Sequence, residues 1–214
     1  MYNMTVYLIR HGETDLNKAK RLQGHSDIEL NDYGRELARI TGNALKDVRF
    51  DYVFTSPLIR AKETAKILIE SKDVNVVENC ELKIIEDERI KEICFGEFEG
   101  LSYSMNDFTI PDKTFMNFFD KPEAYNVPEN GESFEDVIAR TGSFWNDLLN
   151  NKKYADKTIL VSTHGCALKA ILANINNVAV KDFWGEGVHK NCAVTIVKIN
   201  EGNIEIDEGK IFYD

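Results

Sequence analysis

The chain reads as an α/β protein: a three-layer α/β/α sandwich around a mostly parallel central sheet with an antiparallel edge strand. Three features carry that reading. Short apolar runs rich in strand formers, at Met4 to Ile9, Phe50 to Phe54, Leu82 to Ile85 and Thr158 to Val161, alternate with stretches of helical spacing. Two of the runs break abruptly into polar segments, Arg10-His11-Gly12 and Ser162-Thr163-His164-Gly165. The last two runs, Ala193 to Ile199 and Ile204 to Ile206, flank Glu201-Gly202, a hairpin signal that sets an antiparallel strand beside parallel ones. A chain of 214 residues builds one sizeable core, so a single domain over 1–214 is expected, with a cap-like insertion at about 101–130.

The first run is too short for a helix core and ends where Arg10 and His11 stand. A polar, cation-bearing loop follows, with Asn17, Lys18, Lys20, Arg21, Gln23, Gly24 and His25. Asn31 fits a helix N-cap ahead of Leu37, Ile40, Thr41, Ala44 and Leu45 at helical spacing. The second strand ends in Thr55-Ser56-Pro57, with Ser56 as N-cap and Pro57 as the first helical residue. Leu58, Ala61, Ala65 and Leu68 mark that helix's inner face, so Arg60 lies in its first turn. After the third run comes a glycine-rich stretch, Ile90 to Gly100, that carries Glu92.

Residues 101–130 have weak periodicity and many aromatics, including Tyr103, Phe108, Phe115, Phe118, Phe119 and Tyr125, and read as a cap or as plain packing. Gly131-Glu132-Ser133 reads as the start of a strongly amphipathic helix, with Ser133 as its N-cap. Thr158 to Val161 suits a central parallel strand, and Ala167 to Ile175 is apolar on all sides, as a buried helix would be.

Composition narrows the function. Hydrophobic content of 43% and charged content of 29% are those of an ordinary globular protein. A net charge of -10 argues against a nucleic-acid or anionic-membrane binder, so any attraction for an anionic substrate must be local. Cys80, Cys94, Cys166 and Cys192 are scattered without a CxxC pair and read as reduced thiols. The N-terminal apolar run is too short for a signal peptide or a membrane span, so a cytoplasmic location is expected.

The chemistry follows from the strand ends. If Arg10-His11, Arg60 and His164 share one sheet edge, two guanidiniums and two imidazoles meet there. Guanidinium forks match phosphate oxygens, and a neutral imidazole nitrogen can act as a nucleophile. Phosphate-monoester hydrolysis needs up to about 10²¹-fold acceleration, roughly 28 kcal/mol. Positioning supplies about 7–11 kcal/mol of that. Preorganised positive charge and proton transfer must supply the rest. The arginines and His164 bring charge; a carboxylic acid must protonate the leaving oxygen. Glu92 is the first candidate, with Glu13 and Glu99 as rivals. No metal is expected: the chain has four histidines, His11, His25, His164 and His189, with no HExxH pair, and Arg10 adjoining His11 would repel a cation. There is no G-x-S-x-G for a serine hydrolase.

Leu8-Ile9-Arg10-His11-Gly12-Glu13-Thr14, with Asn17 and Gln23-Gly24 after it, resembles the signature of the histidine phosphatase superfamily, branch 1, the phosphoglycerate-mutase-like group. Thr55 through Ala65 resembles its second block, Glu92 through Gly100 its acid-bearing loop, and Gly131-Glu132-Ser133 and Ser162-Thr163-His164-Gly165 its later blocks. The resemblance implies a phosphoglycerate-mutase-like fold and roles residue by residue. His11 would become phosphohistidine. Arg10, Arg60 and His164 would hold the phosphoryl oxygens. Glu92 would be general acid and then base. Asn17 would line the phosphate pocket, with Gln23 and Gly24 nearer the substrate.

The family holds mutases and phosphatases. Segment 101–130 has Lys113 and Lys121 but no arginine for a second anionic group, which favours a phosphatase. Phe95 through Ser102 resembles α-ribazole and broad-specificity phosphatases. The expectation is a metal-independent phosphomonoesterase for a small phosphorylated metabolite, with no cofactor. 2,3-Bisphosphoglycerate enters only if the chain is instead a cofactor-dependent phosphoglycerate mutase. A catalytically silent phospho-ligand binding module is the third reading. His25, His189 and Lys190 stand between rim contacts and surface, and a homodimer is left open.

Overall fold

A computed structural model of the chain describes residues 3–71 and 82–213. Six strands form one sheet: β1 (Asn3–Arg10), β2 (Tyr52–Thr55), β3 (Ile84–Glu86), β4 (Lys157–Thr163), β5 (Val194–Asn200) and β6 (Asn203–Lys210), in the order β3-β2-β4-β1-β5-β6. β3, β2, β4 and β1 pair in parallel, and the β5–β6 hairpin adds antiparallel pairs at the β1 side. Glu201 and Gly202 turn the hairpin at φ +51° and +93°, the double positive φ that a tight two-residue turn between twisted strands requires.

Side chains alternate across the strands and so define two cores. Met4, Val6 and Leu8 of β1, with Ile159 and Val161 of β4, pack on α5 (Phe134–Asn150) and α6 (Gly165–Asn176) through Phe144, Trp145, Leu148, Leu168 and Ile171. Ile9 and Leu160 point the other way, onto α2 (Asp32–Ala44) and α3 (Ile59–Glu70), where Leu37, Ala38, Ala65 and Leu68 meet them. The result is the expected three layers. A third, aromatic cluster lies outside these two. In it Phe115 and Phe118 of segment 101–130 pack with Phe95, Phe98, Phe134 and Trp184, and α4 (Asn117–Asp120) is that segment's only α-helix among the described residues.

Several elements begin elsewhere than the sequence suggests. The polar stretch after Thr14 contains a one-turn helix, α1 (Asp15–Lys18), closed by a capping box between Thr14 and Asn17. Ser56 does not cap α3. The helix starts at Ile59, with Leu58 at the cap position and no side-chain cap bond, while the Ser56 hydroxyl accepts from Leu58 N–H at 3.3 Å, ahead of the helix, and meets His164 Nε2. Ala44 is exposed, and Gly34, Ala38 and Gly42 join Leu37 and Thr41 on the inner face of α2. Ser133 does cap α5, in a capping box with Asp136. Cys94, Cys166 and Cys192 are free thiols, and Cys80 lies outside the described residues. No helix among the described residues is long and apolar enough to cross a membrane.

Candidate active site

The β1–β4 register fixes the site. Arg10 pairs with Thr163, and His11 N–H donates to the Thr163 carbonyl at 2.9 Å, so His11 and His164 leave adjacent strands side by side. Their ring centroids are 5.1 Å apart. Gly12 follows directly and lies against the backbone of Gly34 at the start of α2, where a Cβ on Gly12 would stand 2.5 Å from the Gly34 carbonyl oxygen.

His11 is buried, 2% exposed. Its Nδ1 is 2.6 Å from the Gly12 carbonyl. A carbonyl only accepts, so Nδ1 carries the proton and a neutral ring presents its lone pair at Nε2. Burial, then the charges of Arg60 and Arg10, hold the ring well below the usual histidine range, which keeps it neutral.

Four buried nitrogens around this ring have no hydrogen-bond partner among the described residues. Arg60 is 0% exposed; its terminal nitrogens donate to the carbonyls of Ser26 (2.8 Å), Gly24 (2.7 Å) and Gln23 (3.2 Å), and its Nε is unpaired. Burial drags the Arg60 guanidinium down to about 10. Arg10 Nη1 donates to the His189 carbonyl at 2.5 Å, and its Nε is unpaired. His164 Nε2 lies 2.7 Å from Ser56 Oγ, which also accepts from Leu58 N–H; with the serine proton directed to Nε2, the unpaired Nδ1 is the nitrogen that carries the ring proton. Gln23 accepts from the Thr14 hydroxyl at 2.8 Å, which leaves its Nε2 unpaired. An unpaired buried donor costs about 1–3 kcal/mol. Four together on the strand-end segments suit an anion with several acceptor oxygens. Asn17 adds a fifth donor: its Oδ1 accepts from Thr14 N–H (3.2 Å) and Asn191 Nδ2 (3.3 Å), which leaves its NH₂ free to donate.

Glu92 stands at the N-terminus of α6. Its Oε1 accepts from the amides of Ile93 (3.0 Å), Cys166 (3.0 Å) and Ala167 (3.1 Å), whereas Oε2 has only Cys166 N at 3.2 Å. A Cβ on Gly165 would lie 3.6 Å from both Arg10 Nε and Glu92 Oε2, so carboxylate and guanidinium flank that glycine. The rival carboxylates are engaged elsewhere. Glu13 accepts from Asn31 Nδ2 at 3.0 Å, beside the cap of α2. Glu99 accepts from the amides of His25 (2.7 Å), Ser26 (2.7 Å) and Phe95 (3.2 Å) and from the Ser26 hydroxyl. Burial alone would raise Glu99, but those donors outweigh it and hold the carboxylate below its usual range.

A cavity of about 160 Å³ opens onto Arg10, His11, Asn17, Gln23 and Glu92. Tyr103, Phe118, Phe119 and Trp184 are also on its lining. Arg60 and His164 do not line it; they are fully buried beside His11. Gly24, expected near the substrate, is not on the lining either. Its carbonyl takes an Arg60 bond, and a side chain there would collide with the Ile93 carbonyl. Lys113 and Lys121 are off the lining, whereas Arg21 is on it, its Nη1 tied to the Gly100 carbonyl (2.9 Å) and its Nη2 3.6 Å from Asp107. His25 bonds the Glu92 carbonyl at 2.9 Å, His189 faces Glu208 at 3.0 Å, and Lys190 is exposed.

The sequence reading missed Asn191, whose amide also donates to the His11 carbonyl at 3.0 Å, and Ser56 as the partner of His164. It missed Arg140 too, which donates to the carbonyls of Arg89, Lys91 and Glu92. No local pattern marks these three; each acts on a residue 48 or more positions away.

The model of the histidine phosphatase superfamily (branch 1) matches residues 6–210. The chain is 34% identical over 171 residues to the uncharacterized phosphatase PhoE of Bacillus subtilis, covering 80% of this chain and 77% of that one. It is 29% identical over 172 residues to 2,3-bisphosphoglycerate-dependent phosphoglycerate mutase 2 of Gloeobacter violaceus, covering 80% and 75%. Among solved structures, YhfR of Bacillus stearothermophilus superposes with a TM-score of 0.83 at 30% identity, over 97% of this chain and 98% of that one.

Proposed function

The chain belongs to branch 1 of the histidine phosphatase superfamily, and on that footing we propose that it is a phosphomonoesterase for a small phosphorylated metabolite, working through a phosphohistidine at His11. The single observation that carries the reading is the set of unpaired buried donors, Arg10 Nε, Arg60 Nε, His164 Nδ1 and Gln23 Nε2, gathered with a neutral histidine. They offer one phosphoryl group a donor for each oxygen, and they strengthen as charge develops in the transition state.

In the proposed reaction His11 Nε2 attacks phosphorus in line with the leaving oxygen. The phosphorus–oxygen ester bond breaks, and Glu92 passes its proton to the departing alkoxide. Oε2, with a single long amide contact, is the oxygen that carries that proton. Glu92 then takes a proton from a water that attacks the phosphohistidine, the phosphorus–nitrogen bond breaks, and inorganic phosphate leaves. Arg10, Arg60, His164, Gln23 and Asn17 hold the phosphoryl oxygens throughout. No metal takes part in this scheme: two guanidiniums next to the nucleophile already supply the positive charge and disfavour a cation there.

Hydrolysis is favoured over mutase chemistry by the rest of the cavity lining. A phosphoglycerate mutase must hold a second anionic group. Here the lining is largely aromatic and apolar, and its one arginine besides Arg10 among the described residues, Arg21, is tied to Gly100 and Asp107. The intact set of His11, Glu92 and His164 argues against a silent binding module. The free thiols suit a cytoplasmic setting.

A phosphorus NMR time course in EDTA tests the reading, with 3-phosphoglycerate, α-ribazole phosphate and several sugar phosphates offered beside a trace of 2,3-bisphosphoglycerate. Inorganic phosphate is expected to grow as one ester disappears. Growth of 2-phosphoglycerate without free phosphate would make the protein a mutase, and turnover only after metal is restored would overturn the metal-free scheme.

A further inference from the structure

Glu92 sits on a segment without regular structure. After a single 3₁₀ turn at Glu88–Ile90, residues 91–94 have no regular structure. Three backbone carbonyls of this stretch converge on one side chain from α5. Arg140 Nη1 donates to Arg89 O at 2.8 Å and to Lys91 O at 2.7 Å, and Nη2 donates to Glu92 O at 2.9 Å. The same guanidinium makes a two-pronged contact with Glu132, at 2.8 Å from Nε to Oε1 and 2.9 Å from Nη2 to Oε2. Glu132 in turn accepts from Cys94 N at 2.9 Å, while its own amide donates to Cys94 O at 2.9 Å. The Arg140 and Glu132 side chains are 18% and 22% exposed.

We propose that Arg140 and Glu132 are positioning residues for Glu92: they clamp the acid-bearing turn to α5 and so set where the carboxyl meets the leaving oxygen. The inference rests on the phosphatase reading with Glu92 as acid. α5 is itself fixed in the core by Val137, Phe144, Trp145 and Leu148. A planar fork with five donors can bridge three carbonyls and a carboxylate, which an ammonium cannot do. This gives Glu132 of the Gly131-Glu132-Ser133 motif a task beyond starting a helix.

The test compares Arg140→Met, Arg140→Lys and Glu132→Gln with wild type and Glu92→Gln on two esters, a nitrophenyl phosphate whose leaving group departs without protonation and glycerol phosphate, whose alkoxide needs a proton. Circular dichroism and thermal melting select the variants that retain the fold. Arg140→Met is expected to lower kcat/KM for the alkyl ester about 100-fold, the loss that a displacement of about 1 Å brings. The nitrophenyl ester should be largely unaffected, and Glu92→Gln should show the same selectivity more strongly. Arg140→Lys should recover part of the alkyl-ester rate, and Glu132→Gln should show a smaller loss of the same kind. Equal losses on both esters in folded Arg140 variants, or no loss on either, would overturn the inference. If wild type turned over neither ester, or Glu92→Gln showed no selectivity, the underlying reading of Glu92 would fail instead.

Discussion

His11 and His164 are both buried beside guanidiniums, and that combination has a consequence for stability. In the folded chain burial first, and then Arg60, depress both rings well below the usual range. In the unfolded chain they titrate near pH 6.5. Between those limits the unfolded state binds more protons, so stability is full above about pH 6.5 and falls as the pH drops toward the folded-state values. Melting temperatures measured from pH 7.5 down to 5.5 should decline, and His164→Gln should flatten the decline; an identical slope in the variant would contradict this origin. At this scale the sequence disclosed the residues whose chemistry is announced by neighbours, such as Arg10-His11-Gly12 and Ser162-Thr163-His164. It hid Ser56, Arg140 and Asn191, common residue types whose partners lie 108, 48 and 180 positions away. It gave no packing reason for Gly24, where a Cβ would stand 2.2 Å from the Ile93 carbonyl oxygen.

Elements with a strong period were legible. β1 and β4 alternate between two buried faces, α5 carries one apolar stripe, and α6 is apolar throughout, so burial alone selects their structure. The errors fell where local signals compete with distant ones. Thr14 and Asn17 close a one-turn helix inside a polar run that has no apolar period to reveal it. Ser56-Pro57 looks like a helix start, but His164 claims the serine hydroxyl and the helix begins two residues after Pro57. Joining β1 to α2 depends on two backbones in contact: Gly12 meets Gly34, and a Cβ on Gly34 would run into the Glu13 carbonyl. Gly34→Ala should therefore push α2 away from the end of β1 and cost about 1–3 kcal/mol, as overpacking of a tight contact does. A urea midpoint equal to that of wild type would show that the contact yields freely.

Over the whole molecule, a chain with a net charge of -10 gathers two guanidiniums, Arg10 and Arg60, and two buried imidazoles, His11 and His164, at one sheet edge. That edge was readable because three separate strand-to-loop breaks each deliver a basic residue and the fold class brings such breaks together. The substrate was not readable, because the cavity lining draws on segment 101–130 and Trp184, whose aromatic packing follows no local period. The phosphohistidine is the step on which the proposed reaction turns. It can be trapped by mixing enzyme with a turned-over ester, quenching in alkali within milliseconds and locating phosphate by peptide mass spectrometry, in wild type and in His11→Ala. Phosphate on His11 in wild type, with neither phosphoenzyme nor turnover in the folded variant, is the expected result; turnover by His11→Ala at the wild-type rate would contradict it.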